Sequence, residues 1–175
     1  ELGQDLLGHG LQGVEDPDPG RRHRLVLGHA ARVEQPAELL DGGDLEERKP
    51  CKADSACSIA RDVCSALSFL HSRRIVHRDV SPRNVRCTSD GLAKLIDFGV
   101  MARMGPNKVL LGTPVYCAPE VLYMQALDGR TDLYALGATL YYVLTGQHAY
   151  PARSFADLPN AWKRELRRPS EIIHG

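Results

Sequence analysis

The octapeptide HRDVSPRN, His77 to Asn84, constrains this chain more than any other stretch, because of what stands on either side of it. Before it, from Lys52 to Arg73, Ile59, Val63, Ala66, Leu67 and Leu70 recur at helical spacing, which predicts an amphipathic helix with one buried face. After it, NVRCT and AKLIDF are β-prone runs separated by the turn signal SDG, and predict a hairpin. A loop between helix and hairpin therefore carries Asp79 and Asn84, and the far end of the hairpin adds Asp97. Taken alone, the octapeptide also reads as a solvated turn with a capping aspartate.

Further along, Arg130 to Thr145 predicts a second helix, apolar at Leu133, Leu136, Leu140 and Leu144 and stopped by Gly146. Between hairpin and helix, GTPVYCAPE is too rich in glycine and proline for regular structure. Residues 1–37 contain no lysine, isoleucine, phenylalanine, tyrosine or serine. They predict loop, disorder, or a segment translated out of its original frame.

With 175 residues the chain suits one domain or part of one, and a net charge of zero provides no field for nucleic acid or an anionic membrane. The longest nearly apolar run, Leu133 to Thr145, is well short of the ~20 residues a bilayer demands. No basic region followed by an apolar core opens the chain, so a cytoplasmic protein without a membrane segment is expected. Five cysteines form no CxxC pair, which argues against a zinc knuckle or a secreted disulfide framework. Reduced, mostly buried thiols are expected instead.

Phosphoryl transfer asks little covalent chemistry of a protein: hard oxygen ligands for metal-bound phosphates, a carboxylate for the acceptor hydroxyl, and cations for developing charge. Asp79, Asn84 and Asp97 are of those types. His77-Arg78-Asp79 with Asn84 five positions beyond, then Asp97-Phe98-Gly99, then Ala118-Pro119-Glu120, then Asp132 opening an apolar helix, form an ordered series. From about Glu38 to Pro151 the chain resembles the eukaryotic-type protein kinases. HRDVSPRN and GTPVYCAPE look most like the bacterial serine/threonine members.

The resemblance implies an α+β, protein-kinase-like fold, mainly the helical lower lobe with a small hairpin, the upper lobe being missing or scrambled. Three regions follow: an irregular segment over 1–37, a catalytic core over 38–151 and a polar tail over 152–175. It implies ATP and Mg²⁺ as cofactors and a protein with a serine or threonine acceptor as partner. Asp79 would be the catalytic base, with Asn84 and Asp97 holding the metal. His77 and Phe98 would pack behind the site, Gly99 would complete the DFG triplet, and Arg78 would read the activation segment. Thr113 would bond near Asp79 and shape the peptide platform. Glu120 would pair with an arginine further along, and Asp132 would bond backbone near His77. ELLDGGDLEER resembles the interlobe hinge, where backbone at Glu38 to Leu40 would meet adenine and Asp44 the ribose.

The pattern also breaks. Serine/threonine kinases carry a lysine two residues after the catalytic aspartate, where this chain has Ser81, and the cation would come from Arg83. GHGLQG, Gly8 to Gly13, has the spacing of a phosphate-covering loop, but no lysine follows before Lys49. Between Asp97-Phe98-Gly99 and Ala118-Pro119-Glu120 the only hydroxyl residues are Thr113 and Tyr116, so activity independent of activation-loop phosphorylation is expected. The implied function is a serine/threonine kinase whose catalytic domain is cut at both ends and weakly active or inactive. The alternatives are a non-catalytic remnant or pseudokinase acting as a binding module, and a small-molecule phosphotransferase, against which the APE segment argues.

Overall fold

The computed structural model describes residues 26–27, 43–47 and 49–173. The expectations for Gly8 to Gly13 and for Glu38 and Leu40 lie outside them. In chain order the elements are β1 (Val26–Leu27), α1 (Ala53–Ser72), β2 (Ile75–Val76), β3 (Val85–Cys87) and β4 (Ala93–Ile96). β5 (Ala102–Arg103), α2 (Pro119–Leu122), α3 (Gly129–Thr145) and α4 (Leu158–Ala161) follow. Single 3-10 turns occupy Pro82–Asn84, Pro114–Tyr116, Phe155–Asp157 and Pro169–Glu171.

Helix α1 lies one residue inside each predicted end and buries Ala56, Ile59, Val63, Leu67 and Leu70 against α3 and β4. Each large aliphatic side chain taken fully out of water contributes about 1.5–3 kcal/mol. The hairpin is also as predicted, with Val85 opposite Leu95, Arg86 opposite Lys94 and Cys87 opposite Ala93. Strand alternation turns Val85, Cys87, Ala93 and Leu95 into the core beside α1. β1 adds antiparallel to the other edge of β4, giving the order β1-β4-β3. Within the stretch expected to be loop, disorder or out of frame, Val26–Leu27 forms a two-residue strand, for which the open edge of β4 supplies backbone partners that composition does not reveal. β2 and β5 form a separate antiparallel pair.

The predicted leucine stripe of α3 is buried only in part. Leu136 is buried and Leu140 packs against the core, but Leu133 is 50% exposed, and the buried face also holds Thr131, Asp132, Ala135, Ala138, Thr139, Tyr142 and Val143. Small and hydrogen-bonding residues occupy that face because a polar loop packs against it. Asp128 caps the helix by accepting from Arg130 N at 2.7 Å, and Gly146 ends it at φ 71°.

GTPVYCAPE, expected to be irregular, contains the turn at Pro114–Tyr116 and the short α2, each opened by a proline that presets φ. The cysteines are all free, but only Cys87 and Cys117 are buried; Cys57 and Cys64 lie on the solvent side of α1. A second core gathers Val76, Cys117, Ala118, Val121, Leu127 and Leu158, with Trp162 packed against it. Leu158 and Ala161, in the stretch read as a polar tail, are thus buried. No helix among the described residues is long and apolar enough to cross a membrane.

Candidate active site

The loop after α1 is fixed by α3. Asp132, fully buried, accepts from His77 N and Arg78 N and pairs with His71 Nε2, each at 2.8 Å. Two turns later Thr139 Oγ1 donates to Val80 O at 3.2 Å. Asp79 stands between these anchors. Arg78 adopts φ 71°, a left-handed conformation that costs about 1–2 kcal/mol and that the bonds to Asp132 hold in place.

Both oxygens of the Asp79 carboxylate are engaged. Oδ1 accepts from Thr113 Oγ1 at 2.8 Å and Thr113 N at 3.1 Å. Oδ2 accepts from Asn84 Nδ2 at 2.8 Å, and the same amide donates to Asp79 O at 2.9 Å. Gly112 makes this approach possible: its φ is 108°, and a Cβ there would meet Arg78 O at 2.7 Å.

Asn84 closes the turn Pro82–Asn84, where its own N donates to Ser81 O at 3.0 Å. Ser81 is buried and Arg83 exposed on that turn. Asp97 ends β4 at φ 64° and accepts from Gly99 N at 3.3 Å. Phe98 and His77 meet edge to face, ring centroids 5.2 Å apart, with His77 fully buried. Burial holds the His77 pKa below its usual value, opposed by the carboxylates of Asp132, Asp79 and Asp97 and by backbone at Ile96. The ring is therefore neutral, and its Nδ1 accepts from Asp79 N at 3.4 Å.

Arg78 reaches the activation segment through Nη2, which donates to Val109 O at 2.5 Å and to Asn107 Oδ1 at 3.4 Å. Asn107 is buried and also takes Val109 N and gives to Val121 O. Glu120 accepts from Thr131 Oγ1 at 2.8 Å, because Thr131 opens the helix directly beneath it, and among the described residues it forms no ion pair with an arginine.

The hinge-like segment joins the same assembly. Leu45 is buried, and its N donates to Pro82 O at 3.0 Å and Val85 O at 3.2 Å. Asp44 bridges Arg86, and its Oδ1 caps a turn by accepting from Glu47 N at 3.1 Å. Sequence reasoning missed His71, Asn107, Gly112 and Thr139. None of them stands out in the sequence, since their roles depend on partners 29–61 positions away.

The oxygen donors suit a magnesium ion. With its Nδ2 committed to Asp79, Asn84 turns Oδ1 away from that carboxylate, and Asp97 adds a second hard oxygen ligand. Among the described residues no trio of His, Cys, Asp and Glu builds a metal cage of its own.

Catalytic-loop aspartate, DFG turn and an activation segment bonded back to the aspartate define a class, and the family comparison agrees. The protein kinase domain model matches residues 31–172, and the chain belongs to the protein kinase family. Its relatives are serine/threonine kinases, and its helix-rich α+β architecture with small antiparallel sheets is that of a kinase lower lobe. It is 36% identical to serine/threonine-protein kinase TIO of Arabidopsis thaliana over 73% of this chain and 10% of that protein. Human serine/threonine-protein kinase ULK3 is 38% identical over 69% of the chain and 28% of its own length. Serine/threonine-protein kinase PknL of Mycobacterium tuberculosis is 33% identical over 97% of the chain. The chain spans less than half the length of these relatives, 43% in the case of PknL.

Proposed function

We propose that this chain carries the phosphoryl-transfer centre of a serine/threonine protein kinase, with Asp79 as the base that orients and deprotonates the acceptor hydroxyl. The observation that supports this most is the grip on Asp79, whose two carboxylate oxygens are held from opposite sides by Thr113 and Asn84. A base held in that way offers its remaining lone pairs in one fixed direction, and positioning is most of what this chemistry needs.

When bound, Mg²⁺-ATP supplies the phosphoryl group and masks its negative charge. Asn84 through Oδ1 and Asp97 through its carboxylate hold the metal. Asp44 would hold the ribose, and the family resemblance assigns the adenine to the segment at Glu38 and Leu40, outside the described residues. Arg83, the exposed cation on the Asp79–Asn84 loop, faces the developing charge in place of the lysine that Ser81 replaces. Thr113 shapes the platform for a serine or threonine acceptor. Five unpaired cysteines fit a reducing compartment and support a cytoplasmic location.

The test is radiolabelled transfer from Mg²⁺-ATP to an unstructured serine-rich protein, beside Asp79→Ala and Asp97→Ala. Transfer by the parent that disappears in both variants is the expected result. Transfer surviving in Asp79→Ala would overturn the assignment, and an inactive parent would leave a non-catalytic binding module.

A further inference from the structure

Along the segment that follows Thr113 the chain forms an open cleft of about 670 Å³. One wall is Val115, two residues beyond Thr113; the others come from His148, Arg153, Asp157 and Arg164. Two residues of chain span at most ~7 Å. The cleft therefore begins within one or two peptide units of the group that holds the Asp79 carboxylate.

The charge of this cleft is uneven. Asp157 is its only acidic wall residue, and its Oδ2 is committed to Arg153 N at 2.9 Å, Ser154 N at 2.8 Å and Ser154 Oγ at 3.1 Å. Those bonds hold its carboxyl below the usual carboxylate range. Arg153 and Arg164 are both exposed, and Arg153 stands near enough to Asp157 for its charge to add to the lowering of that carboxyl's pKa. His148 is stacked on Tyr142, ring centroids 4.5 Å apart, and burial first of all favours its neutral form. What the cleft offers is two exposed planar cations against one acidic side chain, a net positive wall with fork geometry that suits carboxylate or phosphate oxygens.

We infer that this cleft selects acceptor peptides bearing an acidic side chain within about four residues of the target hydroxyl. The inference rests on the reading that the hydroxyl meets Asp79. Extended peptide advances about 3.3 Å per residue, so two to four residues carry a side chain from Asp79 past Val115 to the arginines. A basic residue at the same place would meet like charge, so selection works by repulsion as well as attraction.

Binding and transfer test it separately. Fluorescein-labelled peptides with one serine and three glutamates, on its amino or its carboxyl side, are titrated with the full chain beside their lysine counterparts. At least one acidic peptide should bind about tenfold tighter than its lysine counterpart, with a preference that shrinks in high salt. Arg153→Glu with Arg164→Glu should reduce that preference to about twofold or less, and the milder Arg153→Gln with Arg164→Gln should fall between if the first pair unfolds the chain. Equal binding of acidic and basic peptides, or a preference that survives both pairs in folded protein, overturns the inference. Acidic preference in binding with no transfer to any peptide supports the cleft and counts against the kinase reading alone.

Discussion

Thr113 Oγ1 lies 2.8 Å from Asp79 Oδ1, although the two residues are 34 positions apart. The activation segment thereby touches the proposed base itself, so the order of one depends on the order of the other. Thr113→Val keeps the shape and removes the hydroxyl donor. Loss of one hydrogen bond to a charged group is worth about 1.5–3 kcal/mol, so kcat for peptide phosphorylation should fall by roughly ten- to a hundredfold. Steady-state kinetics with the KM for ATP unchanged is the expected pattern; an unaltered kcat would show that Thr113 does not orient the base.

Gly112 should tolerate nothing larger. A methyl group would sit 2.7 Å from Arg78 O at a backbone φ of 108°, and both problems act on the loop that presents Asp79. Gly112→Ala should lose more than tenfold in kcat while the urea midpoint moves only slightly, because the segment can swing away without disturbing the core. A variant of normal activity would refute the close approach.

Asp132 is the stability prediction. Its carboxylate satisfies two backbone amides and His71 from a fully buried position. Asp132→Ala leaves these groups without partners and opens a cavity, so about 3–5 kcal/mol of stability should be lost. Urea unfolding followed by circular dichroism measures it. By the simpler cavity argument Leu67→Ala should cost about 2–5 kcal/mol.

The activation segment should stay ordered without phosphate. Arg78 already gives its Nη2 to Val109 O and Asn107 Oδ1, so the guanidinium has internal partners. Phosphatase treatment should leave the transfer rate unchanged, while Asn107→Leu should lower it several-fold. Loss of activity on dephosphorylation would contradict this.

Acid should weaken the fold through its histidines. Burial lowers the pKa of His77 and of His148 in the folded state; for His148, Lys49 adds to that effect and Glu46 opposes it. The unfolded chain therefore binds more protons below about pH 6.5, and stability falls progressively from there as pH drops towards the folded values. Above about pH 7.5 the contribution should be flat. Urea midpoints at pH 7.5 and 5.5 should differ in that direction, with a smaller difference in His148→Gln.

The sequence carried the skeleton of all this. Ile59, Val63, Leu67 and Leu70 marked α1 because a single apolar face imposes a period that neighbouring charges do not hide. Asp79, Asn84 and Asp97 were legible as chemistry because hard oxygen donors and a base are few in kind. The face of α3 was legible only in part: Leu136 is buried as its spacing implied, but Leu133 faces solvent and the buried side also holds Asp132 and Thr139, whose value is in hydrogen bonds to the loop. The bond from Thr131 to Glu120 was not legible either, since only the folded chain brings the two together. The arginine-lined cleft was invisible, because Val115 and Arg164 meet only in space.

Asp132 and Thr139 are seven residues apart on one helix, a rise of about 10 Å. They grip the loop on both sides of Asp79, at His77 N and Arg78 N and at Val80 O. The helix thus serves as a gauge bar: the loop has no independent length scale, and the spot where Asp79 stands is measured off along a rod whose pitch is among the least variable distances in protein structure. Substitutions in the loop that spare these contacts change what chemistry is offered, while a kink in the rod changes where it is offered.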